Sequence, residues 1–198
     1  RIVRAEPRNM STLTATPPAF APLPPSPWVR RWLETLPEGA SVLDFAAGSG
    51  RHAREARRLG LRATAIDRDA GALAGIGEGI ATRAADLEGG EWPFGRERFD
   101  AVVVTNYLFR PRFALLAALV APGGLLVYET FARGNERYGK PSNPAFLLAP
   151  GELLERCRSA GLTVLAYEHG LLERPRPAVV QRACAVRAAG PEALRPLG

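Results

Sequence analysis

The chain has 198 residues, enough for one domain with a substantial core and too few for two ordinary domains and a linker. Lys and Arg number 26 against 20 Asp and Glu, a formal charge of +6, yet Lys140 is the single lysine. Arg, Ala, Gly and Pro are all abundant and all come from GC-rich codons, so codon bias explains the basicity better than a nucleic-acid surface does, and nucleic acid is not the expected partner.

Cys157 and Cys184 lack metal-ligand or disulfide-framework spacing, and the histidines, His52 and His169, are as sparse, so no metal is expected. The most apolar run, "FALLAALVAPGGLLV", is broken by Pro122-Gly123-Gly124 and falls short of the ~20 residues of a span. With no signal-peptide pattern at its start, the chain reads as cytoplasmic, with no membrane partner.

In chain order, residues 1–25 carry Pro7, Pro17, Pro18, Pro22, Pro24 and Pro25 and show no helical or strand period, so they read as an extended arm. Met10 lies inside it, and residues before Met10 read as either an upstream extension or a cloning remnant. Ser26-Pro27-Trp28 then opens a first helix, with Ser placed to cap it and Pro suited to its first position. Strands are expected near 41–46, 62–67, 81–85, 99–105, 124–130, 162–168 and 178–187, and helices near 51–59, 69–75, 111–120 and 150–159. Gly60 and Gly161 stand where C-cap glycines belong. The alternation predicts an α/β fold with a seven-stranded, mostly parallel sheet, helices on both faces and an antiparallel last strand. One domain is expected over 26–188, with a tail at 189–198.

In such sheets ligands bind beyond the carboxyl ends of the strands. The first strand, in "VLDFAAGSGRHA", carries an acid, Asp44, inside an apolar run, and a buried carboxylate is costly unless its oxygens are partnered. Gly48-Ser49-Gly50 follows, a turn that brings backbone close to a ligand; glycine at a strand-to-helix turn also serves plain structure. The second strand ends in "AIDRD", where Asp67 lies nineteen positions beyond Gly48, a spacing suited to accepting ribose hydroxyls. Asp86-Leu87 after the third strand suits an adenine, with a solvated loop acid as the alternative. Asn106-Tyr107 ends the fourth strand, and the ring of Tyr107 suits either a cation or the core.

Taken together, "VLDFAAGSG", "AIDRD", "AADLE", "FDAVVVTNYL" and "APGGLLVYETF" resemble class I S-adenosylmethionine-dependent methyltransferases over nearly all of Ser26 to Ala188. "SPWVRRW", "GNERYGKPSNPAFLLAPGEL" and "PAVVQR" are similar to a bacterial small-molecule branch of the tellurite-resistance type. The resemblance implies a Rossmann-like methyltransferase fold, S-adenosyl-L-methionine as cofactor and S-adenosyl-L-homocysteine as product. It also implies a small-molecule acceptor methylated by direct displacement, with an RNA or protein methyltransferase and a non-catalytic binding module as alternatives. For the cofactor it implies Asp44, Ala46, Ala47, Gly48, Ser49, Gly50 and Arg51 around the methionine end. Asp67 with Arg68 would take the ribose, Asp86 and Leu87 the adenine, and Thr105, Asn106 and Tyr107 the neighbourhood of the sulfonium.

The acceptor side is expected to draw on Trp28, Arg31, Tyr128, Tyr138 and Asn143, with ordinary helix-start packing as the alternative for Trp28 and the long stretch from Phe131 to Pro150 as a lid or wall. The turn Asn106-Tyr107-Leu108-Phe109 lacks the prolines of base-amino methylating enzymes. No catalytic base stands out, His52 reads as structural, and the oligomer is expected to be a monomer or homodimer.

Overall fold

The computed structural model describes residues 23–189. Apart from Leu23–Pro25 and Ala189, the Pro-rich arm and the C-terminal tail lie outside the described residues.

The seven strands form one sheet in the order β3-β2-β1-β4-β5-β7-β6, with β1 at Ser41–Phe45, β2 at Arg62–Asp67, β3 at Ala81–Ala84 and β4 at Phe99–Thr105. β5 spans Val120–Phe131, β6 Thr163–Leu172 and β7 Ala178–Val186. The first five strands pair in parallel, and β7 runs antiparallel between β5 and β6. Strand order reverses between β1 and β4, which is where a ligand crevice opens in an open α/β sheet.

Helices α1 (Pro27–Leu33), α2 (Arg51–Arg58) and α3 (Ala70–Ala74) cover one face, and α4 (Phe113–Ala117) and α5 (Glu152–Ser159) the other. On the first face Trp28, Val29, Ala53, Ala56 and Leu73 pack onto Val42, Val103 and Val127. On the second, Phe113, Leu116, Leu153 and Cys157 pack onto Leu43, Val104 and Leu126. The two sets alternate along each strand, as a two-residue side-chain period requires. Burial pushes the Cys157 thiol up to about 12, so it behaves as a small core hydrophobe.

Gly60 and Gly161 follow α2 and α5 with φ of +78° and +72°, the conformation expected of C-cap glycines. Elsewhere the structure corrects the local expectations. Ser26 stands at the N-cap of α1 without a side-chain cap bond, because its hydroxyl donates to Glu129 instead. The expected helix at 111–120 is a 3-10 turn at Arg110–Arg112 followed by the five residues of α4, since Pro111 interrupts the helical hydrogen bonding. β5 begins at Val120, not near 124: Phe99 pairs with Val120 and Ala101 with Leu125, so Pro122-Gly123 bulge out between two paired stretches.

The stretch after β5 is also more ordered than an irregular loop. Two 3-10 turns, Asn135–Arg137 and Pro144–Phe146, punctuate it, and Ala132 bridges Leu148. Buried Asn135 donates to the Pro141 carbonyl and accepts from Val179 N–H. Among the described residues no helix is long and apolar enough to cross a membrane.

Candidate active site

Strand β1 delivers Asp44 to the sheet's carboxyl edge at 2% exposure, on the face shared with α2. Its Oδ2 accepts the Ala53 N–H at 2.9 Å, so one of the unpaired amides in the first turn of α2 supplies the partner that burial demands. Oδ1 lies 3.9 Å from His52 Nδ1. Burial pushes the Asp44 carboxyl up to about 7, with the Ala53 bond and the charge of Arg51 pulling the other way.

His52 itself is locked. Its Nε2 accepts the Ser26 N–H at 3.2 Å, which leaves the proton on Nδ1, 3.3 Å from Thr105 Oγ1. Burial, with the nearby charge of Arg51, holds the ring neutral and lowers its pKa to about 3.

The turn after β1 is built for close approach. Ala46 adopts φ +56° and Gly48 φ +53°, and a side chain placed on Gly48 would meet nothing within 4 Å, so the backbone there borders open space. Gly50 is glycine for packing: a Cβ there would lie 2.5 Å from Ile76 Cδ1. Ala47 N–H donates to the Ile66 carbonyl, tying the turn to β2, and the exposed Ser49 offers its carbonyl to Arg54. Arg51 reaches back to the Pro24 carbonyl at 3.3 Å.

At the end of β2, Asp67 accepts Gly48 N–H on Oδ2 at 2.8 Å and Asp69 N–H on Oδ1 at 2.9 Å. Each oxygen keeps a lone pair for a hydroxyl. Asp86, after β3, accepts the Glu88 N–H, and its backbone bonds hold the carboxyl below the usual range. Asp67, Arg68, Asp86, Leu87 and Tyr107 come together with Ala46 and Glu88 around a cavity of about 130 Å³. Tyr107 does two jobs, standing edge-on to Phe45 at 5.5 Å and lining this cavity. Asn106 adopts φ +54°, and its N–H donates to the Glu129 carbonyl, which joins β4 to β5 at the crevice.

The acceptor-side candidates do not converge in the same way. Trp28 is 3% exposed, packed edge-on against Trp32 at 5.8 Å with the Arg182 guanidinium 4.9 Å from its ring centroid. Arg31 is exposed and lies over the Trp32 ring. Tyr128 belongs to the core: it is 1% exposed, on the opposite face of the sheet, and its hydroxyl donates to the Tyr107 carbonyl at 2.7 Å. That is a correction, because a strand alternates faces and position 128 falls on the α4 and α5 side. Tyr138 is 47% exposed, and Asn143 caps the 3-10 turn at Pro144–Phe146 by accepting the Ala145 N–H.

Sequence reasoning missed Glu129 and Arg182. Glu129 is 7% exposed, its Oε2 accepting from Ser26 Oγ at 3.1 Å and lying 3.6 Å from Arg182 Nη1. Its signal was the one already used for Asp44, an acid inside an apolar strand, in "LLVYETF".

The sequence profile of a family described as "Methyltransferase domain" matches residues 19–171. The chain belongs to that family. A ribosomal protein L11 methyltransferase of Xylella fastidiosa is 38% identical over 121 residues, which cover 54% of this chain and 39% of that protein. The chain thus spans about two fifths of the length of the curated relatives it matches.

Among solved structures, TehB from Haemophilus influenzae superposes with a TM-score of 0.66 at 19% identity, over 80% of this chain and 61% of that one. A SAM-dependent methyltransferase from Methanosarcina mazei also gives 0.66, at 14% identity, over 85% of this chain and all of that one. The domain therefore has the Rossmann-like fold of class I S-adenosylmethionine-dependent methyltransferases, and the order β3-β2-β1-β4-β5-β7-β6 is its sheet here.

Proposed function

We propose that residues 26–188 form an S-adenosylmethionine-dependent methyltransferase domain acting on a small-molecule acceptor. The observation that carries this reading is the joining of three acids to one crevice. Asp67 and Asp86 line a single cavity with Leu87 and Tyr107, and Asp44 sits under the adjoining glycine turn.

These residues fit the cofactor the family implies. Asp67 offers a lone pair on each oxygen to a ribose diol, and Leu87 offers an apolar surface to a base. Asp86 offers a carboxylate held ionised by its own backbone bonds. Asp44 suits an ammonium, which would draw its carboxyl down from about 7 into the charged form. When bound, the cofactor supplies a methyl carbon activated by a positively charged sulfur. The chain's part is then to align the acceptor and exclude water.

Support for a small acceptor comes from how the ground beyond β4 is covered. The first turn of α1 closes over it through Ser26 to Glu129 and His52 and through Trp28 to Arg182. A second reading, methylation of a protein, draws on the identity to the L11 methyltransferases.

The deciding experiment offers methyl-labelled cofactor with a small-molecule extract, total RNA and purified ribosomal protein L11 in parallel. Label in a low-mass product supports the first reading, and label in the protein supports the second. A chain that gives no heat with S-adenosylhomocysteine in a calorimeter refutes both.

A further inference from the structure

Glu129 presents the same anomaly as Asp44, on the far side of β4. It interrupts an apolar strand at a central position of the sheet. The strand registers set it in one polar row: Thr105 of β4 beside Glu129 of β5, Glu129 beside Arg182 of β7, and Arg182 beside Glu168 of β6. Val103, Val127 and Cys184, two positions away in each strand, pack under α1 and α2, so the row lies on that face.

The row is unevenly paired. Arg182 gives Nε and Nη2 to Glu168 Oε2, and its 3.6 Å approach to Glu129 is too long for a hydrogen bond. Both described contacts of the Glu129 carboxylate, from Ser26 and from Arg182, fall on Oε2. Neither contact involves Oε1, the oxygen that stays available to a ligand. The position is also right for one. The cavity lined by Asp67, Asp86 and Tyr107 lies at the β1 to β4 end of the crevice, and Thr105, which begins the row, immediately precedes Asn106 and Tyr107. Arg51, the first residue of α2 after the glycine turn, feels the charges of Glu129 and Asp44 together, which puts the row within electrostatic reach of the start of that helix.

We propose that Glu129 is the acceptor-facing base of the domain, and that the acceptor is a small amine or hydroxyl compound that enters carrying a proton. This rests on the methyltransferase reading above. In the transfer, the lone pair of the acceptor nitrogen or oxygen forms the new bond to the methyl carbon. The carbon–sulfur bond breaks with its electron pair left on sulfur, and the proton shed by the acceptor passes to Glu129 Oε1 and then to water. An acceptor that arrives as an anion, such as a thiolate, has no proton to give and is repelled by the carboxylate, so it is disfavoured.

The test compares phenol and benzylamine with benzenethiol, which is largely ionised in mildly alkaline buffer, using methyl-labelled cofactor. The wild type is expected to label phenol or benzylamine in preference to benzenethiol. Glu129→Gln is expected to lower kcat roughly 100-fold or more. The KM for cofactor and the calorimetric affinity for S-adenosylhomocysteine are expected to stay unchanged, and Glu129→Asp to recover part of kcat. Circular dichroism and the S-adenosylhomocysteine isotherm confirm that each variant is folded. Preferred labelling of benzenethiol, no labelling of phenol or benzylamine, an undiminished kcat in Glu129→Gln, or loss of S-adenosylhomocysteine affinity in that variant would each overturn the assignment. A wild-type chain that binds no S-adenosylhomocysteine overturns the parent reading instead, so the two failures are distinct.

Discussion

Asp44 and His52 sit 3.9 Å apart and pull acid stability in opposite directions. His52, lowered to about 3 when folded against an ordinary 6.5, contributes stability that is present above 6.5 and lost as pH falls toward 3. Asp44, raised to about 7, contributes stability that is present below its ordinary 3.8 and lost as pH rises through 7. Between about pH 4 and 6.5 the two oppose each other, and His52→Gln removes one of them. The variant is therefore expected to gain stability relative to wild type as pH falls through that window, read as the shift in urea midpoint between neutral and mildly acidic buffer. The same carboxyl predicts a proton signal on binding. If an ammonium docks beside Asp44, S-adenosylhomocysteine should release about half a proton near neutrality. Calorimetry in buffers of different ionisation enthalpy measures this, and Asp44→Asn should abolish it. At Asp67 the prediction is affinity: Asp67→Asn places an amide against the Gly48 or Asp69 N–H and weakens a ribose contact, lowering S-adenosylhomocysteine affinity roughly 10- to 100-fold. An unchanged isotherm would remove Asp67 from the pocket.

Among the elements, the second half of the long stretch after β5 is tied down by Arg110. Arg110 donates to Glu152 through Nε and Nη2, and to the Ala145 and Leu147 carbonyls through Nη1 and Nη2, pinning the stretch to the start of α5. These bonds hold the Glu152 carboxyl down at about 2. Arg110→Ala should cost about 2 kcal/mol and raise amide exchange across residues 141–149, with the rest of the sheet unaffected. The bulge between β4 and β5 makes a sharper prediction. A Cβ on Gly124 would stand 2.9 Å from the carbonyl oxygens of Ala121, Asp100 and Phe99, all backbone, so Gly124→Ala should cost about 3 kcal/mol in a denaturant titration. The bulge was hidden from the sequence. Pro122-Gly123 reads as an ordinary break, and only pairing across strands shows that Val120 is already sheet. Pro111 likewise splits a run whose apolar period suggests one helix.

At the scale of the molecule, strand and helix order was legible because parallel strands buried on both faces print as apolar runs, and glycines mark where each helix stops. Three acids were legible too, because Asp44, Asp67 and Asp86 each stand at or just past the carboxyl end of a different parallel strand, and the fold gathers those ends at one crevice. The acceptor side was not. Glu129, Arg182 and Ser26 are far apart in the chain and meet only because β7 returns between β5 and β6. Tyr128 falls on the α4 and α5 face, and an apolar run buried on both sides does not show in sequence which residues take which face. That inserted strand also orders assembly in time. During synthesis β5 and β6 both emerge before β7, so the apolar edge from Leu125 to Phe131 waits unpaired, and Glu129 and Glu168 wait without the guanidinium that sits between them. The crevice for the nucleoside can be finished while the opposite half is still open, and the last strand threaded is the one that turns a holding site into a working one.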